Sequence, residues 1–224
     1  MIERLRELSD EQYLRFNARL VRSNYPMLGV RVPHIRKIAN ILAKSGQEDF
    51  TNPPVWYEEV LLLGLVLSKS DNVLDSFDKY LPYIDNWCTC DTVVLAFKGI
   101  KKHRKQFLER FSVLADGEEF ERRALVVALL GFFLDDEYID EAISLAIKAD
   151  DGRYYVSMAT AWLLATALIK FPTKITAVLD SGKVREETVA RAVQKAIDSY
   201  RISPELKMSL RQKRAACRKT CRKK

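Results

Sequence analysis

In the stretch IDNWCTCDTV, residues 84–93, a tryptophan, Trp87, stands four residues before a carboxylate, Asp91. On a helix that spacing puts both side chains on one face, one turn apart. An indole face beside a carboxylate attracts positive charge, the ring through its quadrupole and the acid through Coulomb attraction. Three further residues recur at comparable places in later apolar segments: Arg123 in ERRALVVALL, Trp162 in SMATAWLLA and Arg191 in VARAVQKAI. Singly, each has an ordinary explanation. Trp87 and Trp162 can be core residues, Asp91 a capping or ion-paired acid, and Arg123 an exposed or salt-bridged base. As a set on successive helices they would hold the cationic part of a ligand against tryptophan and carboxylate, with arginine on a neighbouring phosphate.

The elements that must position these residues read as helices almost throughout. Gly numbers only eight in 224 residues, no Asn-Gly or Asp-Gly hairpin signal occurs, and apolar residues recur every three or four positions. The pattern predicts helices near 10–22, 33–45, 53–68, 71–81, 87–101, 103–114, 118–133, 136–148, 152–170, 172–180, 184–199 and 203–218. Ser9 is the expected cap of the first, and Pro33, the NPPVW run and Pro204 are expected in opening turns. The longest segments, VWYEEVLLLGLVL, NWCTCDTVVLAF, EFERRALVVALLGF, YYVSMATAWLLATAL and EETVARAVQKAI, recur at roughly 31 to 36 residues, each followed by a shorter amphipathic helix. A helix pair that cannot bury its own apolar face must stack on its neighbours. The expected fold is therefore an all-α helical repeat solenoid over 1–204, with a concave surface lined by equivalent helices and a basic tail over 205–224.

Composition narrows the partners. The longest apolar runs, residues 60–67 and 124–134, fall well short of the roughly 20 residues that cross a bilayer, so no membrane span is expected. The opening MIERLRELSDEQ is charged and lacks an apolar signal core, which predicts a cytoplasmic protein. Cys88, Cys90, Cys217 and Cys221 match no common zinc or disulfide spacing and read as reduced thiols; the alternative, one metal site joining the two pairs, would need an unusual arrangement. The net charge of +7 is uneven. Residues 201–224 hold ten of the 37 Lys and Arg but one of the 30 Asp and Glu, leaving 27 basic against 29 acidic residues elsewhere. The tail is either a solvated helix end or an arm for a polyanion. No P-loop, G-x-G-x-x-G, H-E-x-x-H or G-x-S-x-G motif is present, and His34 and His103, the only histidines, read as surface or nucleic-acid-facing.

Ordered segments along nearly the whole chain, YPMLGVRVPHIRKIA, IDNWCTCDTV, FERRALVVALL, YYVSMATAWLLA followed by KFP, and VARAVQKAIDSYRIS, resemble the DNA alkylation repair proteins of the AlkD type, which are HEAT-like, armadillo-like solenoids. The resemblance implies a DNA glycosylase, a hydrolase that removes N3- or N7-alkylated purines from double-stranded DNA, acting as a monomer without cofactor or metal. It gives the acid's role to Asp91, contacts with the lesion's deoxyribose to Trp87 and Trp162, and DNA backbone contacts to Arg123, Arg191, Arg36 and Lys37. Leu28 departs from it, because some active members carry an aromatic just before the Gly-Val of this motif. Such an alkylated purine is already cationic and leaves readily. What remains is to stabilise positive charge developing on the sugar and to place a water, work a carboxylate in an aromatic-walled site can do. Most glycosylases flip the base out; this family is understood to leave it stacked. Two other readings stay open: a non-catalytic DNA-binding paralogue, for which Leu28 speaks, and a protein-binding solenoid.

Overall fold

The computed structural model describes residues 2–45 and 53–221, with side chains described as far as Gln212. Every regular element among these residues is helical, and the fold is of the predicted all-α helical repeat class. None of these helices is long and apolar enough to cross a membrane. The helices pack as two compact units, Met1–Phe111 and Ser112–Lys224.

The first unit contains α1 (Ile2–Arg6), α2 (Glu11–Leu20), α3 (Val32–Ser45), α4 (Tyr57–Leu67), α5 (Val73–Tyr80), α6 (Trp87–Val94) and α7 (Arg104–Phe111), with short 3-10 turns at Leu81–Tyr83 and Lys98–Lys102. The second contains a 3-10 turn at Ser112–Asp116, then α8 (Glu119–Phe132), α9 (Ile139–Ala149), α10 (Tyr154–Lys170), α11 (Pro172–Asp180), α12 (Glu186–Asp198) and α13 (Pro204–Cys221). The repeat appears in the starts of α4, α6, α8, α10 and α12, at residues 57, 87, 119, 154 and 186, which are 30, 32, 35 and 32 residues apart. In the first unit α4 packs against α3, α5 and α6; in the second α10 packs against α8, α9, α11 and α12.

Several expectations need correction. α1 precedes the first predicted helix. α2 is capped by Asp10, whose side chain accepts from the Tyr13 N–H at 2.9 Å, while the Ser9 hydroxyl instead donates to the Leu28 carbonyl. That same N–H and the Arg31 guanidinium hold the Asp10 carboxyl below its usual range. Pro53 and Pro54 lie outside α4, which opens only at Tyr57 with Glu59 accepting from the backbone of Val55 and Trp56. The helix predicted over 87–101 ends at Val94, where Ala96 and Phe97 donate to carbonyls three residues back and tighten the chain into a turn. The helix predicted over 103–114 likewise gives way to a 3-10 turn after Phe111. Of the basic tail, residues 204–221 are helical; the side chains from Lys213 onward, with Cys217 and Cys221, lie outside the described residues.

Each unit has its own core. In the first, Phe77 is fully buried and meets Phe97, Phe107 and Phe111 edge-on, with ring centroids 5.4, 5.2 and 5.0 Å away. In the second, the apolar sides of α8 and α10 bury Leu125, Val126, Leu163 and Leu164. Gly64 is where α4 comes closest to its neighbours: a Cβ there would lie 2.5 Å from Tyr80 Cε2 and 2.5 Å from Val93 Cγ1. Tyr80 is fully buried and cannot swing clear. Gly64→Ala is therefore expected to destabilise the protein by about 1–3 kcal/mol although alanine favours helices, a result that a denaturant melt checks.

Candidate functional site

The centre of the first unit's candidate site is α6, and its geometry begins one residue upstream. Asn86 caps the helix, its side-chain oxygen accepting from the N–H groups of Cys88 and Thr89 at 2.9 and 3.0 Å. Trp87 opens the helix and Asp91 follows one turn on; both are half-buried on the same face. The indole N–H of Trp87 donates to the Leu20 carbonyl at 3.2 Å, which fixes the ring against the end of α2. Asp85 ties down the same region: it accepts from the Ser23 hydroxyl at 2.8 Å and the Asn24 N–H at 2.5 Å. Cys90 is buried and Cys88 half-buried within α6, and neither is in a disulfide among the described residues.

The N-terminal loop is held by a buried acid. Glu58 is 0% exposed, and no cation among the described residues pairs with it. Its carboxylate instead accepts three backbone N–H groups, from Leu28 at 2.9 Å, Gly29 at 2.8 Å and Val30 at 3.1 Å. Three converging amides make a small anion nest that replaces the lost water. Gly29 has φ 86°, and a Cβ there would stand 2.7 Å from the Asp10 carbonyl oxygen, so both backbone shape and space require glycine. The Asp10 N–H donates to the Gly29 carbonyl at 3.1 Å, and the Tyr57 N–H to that of Pro26 at 2.9 Å. This clamp sets the entry of α3, on which Arg36 and Lys37 are exposed. Arg36 reaches across to α6, its Nη2 donating to the Thr92 carbonyl at 3.4 Å.

In the second unit the arginines gather around two tyrosines. Arg123 is only 5% exposed; its Nη1 donates to the Tyr155 carbonyl at 2.5 Å and its guanidinium lies 6.0 Å from the Tyr155 ring centroid. Arg191 lies 5.4 Å from the ring of Tyr154, which is 57% exposed, and the two tyrosine rings meet edge-on at 5.2 Å. One guanidinium nitrogen of Arg191, Nη2, is 3.8 Å from Glu187; another, Nη1, is buried with no hydrogen-bond partner among the described residues. Trp162 is half-buried two turns further along α10. Neighbouring polar groups lock the helix ends together. Buried Asp150 accepts from the Ser157 hydroxyl at 2.6 Å and the Thr188 hydroxyl at 2.5 Å, and Glu119 accepts from the Tyr155 N–H at 3.1 Å.

Comparison with known proteins bears on what these two clusters are for. The family of DNA alkylation repair enzymes matches residues 1–197 of the chain. The chain belongs to that family. Its partner is accordingly DNA, and its role lies in the repair of alkylated DNA. No curated protein matches the chain. Within this DNA alkylation repair protein, Trp87 and Asp91 share one half-buried helix face, Arg36 stands beside the end of the same helix, and Arg123 and Arg191 cluster with Tyr154 and Tyr155. Sequence reasoning missed Glu58, Asp85 and the tyrosine pair. The pair had a legible signal, an aromatic doublet at the opening of the longest apolar helix. The two acids had none, because each binds backbone about 30 to 60 residues away.

Proposed function

We propose that this protein is an AlkD-type DNA glycosylase that hydrolyses the N-glycosidic bond of cationic N3- or N7-alkylated purines in duplex DNA. The observation that carries the reading is the pairing of Trp87 and Asp91, one turn apart and half-buried, on a helix pinned at its N-terminus by Asn86 and Asp85. A carboxylate held there stabilises the oxocarbenium-like sugar as the purine departs, and orients the attacking water. The indole face of Trp87 adds cation–π attraction of about 0.5–2 kcal/mol, and the family resemblance gives Trp162 the same role. Arg36 and Lys37 contribute phosphate contacts from exposed positions, and the family resemblance adds half-buried Arg191 and buried Arg123. The test is release of 7-methylguanine and 3-methyladenine from methylated duplex DNA by the purified protein.

Leu28 favours a second reading, a paralogue that recognises DNA shape and phosphates without chemistry. It is an aliphatic residue on the clamped loop where some active relatives would present an aromatic. A protein that binds duplex DNA and releases neither base is that paralogue.

The basic tail is separable from the site. Leu210 is 1% exposed, so removing all of α13 would strip a packed face, whereas ending the chain after Gln212 removes seven Lys and Arg and spares it. If those cations lie on DNA phosphates, the shortened protein binds duplex DNA more weakly, and its plot of log affinity against log salt is shallower by about 0.9 for each phosphate that the tail had neutralised. An unchanged slope means the tail is only a solvated helix end.

A further inference from the structure

A depression of about 230 Å³ opens in the first unit between the α3 surface and the C-terminal ends of α4 and α6. It is too small for a drug-sized organic ligand, whose sites run from about 300 Å³ upward, but of a size for a small hydrated ion. Three cations line it: Arg36 on α3, Lys69 just past the end of α4, and Lys98 at the start of the 3-10 turn. No carboxylate is among the lining residues, and none of the three cations forms an ion pair among the described residues. Asn40, one turn beyond Arg36, adds a carboxamide that makes no hydrogen bond within the described residues. Ser68 also faces the depression, but its hydroxyl hydrogen is given to the Leu65 carbonyl at 2.8 Å. The available donors are therefore two ammonium groups, a guanidinium and an amide.

The plainer explanation is that these cations neutralise helix ends. Lys69 and Lys98 stand near the carbonyl ends of α4 and α6, and Arg36 does donate to Thr92 on α6. Charge decides against that explanation as a full account. Two helix C-termini supply roughly −0.5 each, about −1 together, against three full positive charges. About two positive charges remain around a concavity that no carboxylate lines among the described residues, enough to balance a phosphate dianion or two phosphodiesters.

We propose that this depression is a phosphate-binding site formed by Arg36, Asn40, Lys69 and Lys98, apart from the Trp87–Asp91 face. The phosphate comes either from the backbone of bound DNA or from free phosphate; only the first source rests on the function proposed above. Two measurements on the full-length protein separate the possibilities. In the first, inorganic phosphate is titrated into labelled protein and amide shifts are followed by NMR. Saturable shifts are expected at Asn40, Lys69 and Lys98, and the double variant Lys69→Ala/Lys98→Ala should weaken binding by about tenfold or more, the effect of losing a charge-assisted hydrogen bond. Both lysines are exposed, so the fold is retained. Lys101→Ala/Lys102→Ala, which removes the same charge from exposed positions outside the depression, should leave the titration unchanged. Shifts that do not localise there, or that both variants weaken equally, overturn the site. In the second measurement, duplex DNA affinity is followed against salt. A slope about one to two units shallower in the pocket variant assigns the phosphate to DNA; an unaltered slope with the phosphate shifts intact assigns it to free phosphate. A wild-type protein that binds no duplex removes the glycosylase reading while the phosphate titration still decides this site.

Discussion

Asp91→Asn is expected to lower the rate of 7-methylguanine release from methylated duplex DNA by about 10²- to 10³-fold at saturating protein, with duplex affinity changed only a few-fold. The substitution keeps size and shape and removes one charge. If the carboxylate faces a sugar that becomes positive only as the bond breaks, that charge acts on the transition state far more than on the bound ground state, and removing such a preorganised group typically costs about 2.7–4 kcal/mol. The effect should therefore fall on the single-turnover rate, not on binding. Trp87→Phe is expected to be milder, because it keeps an aromatic face and loses the indole N–H that fixes the ring to the Leu20 carbonyl. Equal rates for wild type and Asp91→Asn would remove the acid from the chemistry and leave the Trp87–Asp91 face as a recognition surface. Loss of duplex binding in Asp91→Asn would place its role in folding or docking.

The second large effect concerns stability. Glu58→Gln should lower stability by about 3 kcal/mol, and the melting temperature by about 6–12 °C for a chain of this length. The amide is isosteric with the carboxylate, so no cavity forms. It turns an NH2 toward a nest of three backbone donors and removes the charge those donors stabilise. The loss should be localised: hydrogen exchange at Leu28, Gly29 and Val30 accelerates more than exchange in the α8 and α10 core. A melt within a degree of wild type would mean the loop holds without the clamp.

Those two residues mark what sequence could and could not reveal. The place of Asp91 on the Trp87 face of α6 was legible because it is a local relation, four residues apart on a helix whose period is fixed. Pro33 in the first turn of α3, α11 over residues 172–180 and the spacing of the long helices were legible for the same reason. Glu58 looked like an ordinary first-turn acid of an apolar helix; its burial follows from a loop some thirty residues earlier folding over it. The early end of α6 was hidden too. Residues 87–101 keep helical periodicity to the end, and the break depends on close packing, with a Cβ at Gly99 standing 3.1 Å from Val73. Ser9 was the expected cap, but its hydroxyl is taken by the Leu28 carbonyl and Asp10 caps the helix instead.

The bond from Trp87 to Leu20 spans 67 residues, and those from Asp85 to Ser23 and Asn24 span 62 and 61. At translation rates of about 5–20 residues per second, the residues of α2 leave the ribosome about 3–13 s before the residues that will fasten them emerge. For that interval Phe16 and Leu20 have neither Trp87 nor Asp85 to order the chain around them. A nascent chain halted before residue 84 should therefore be open to proteases at its N-terminus, and one extended until α6 has cleared the ribosome should resist them.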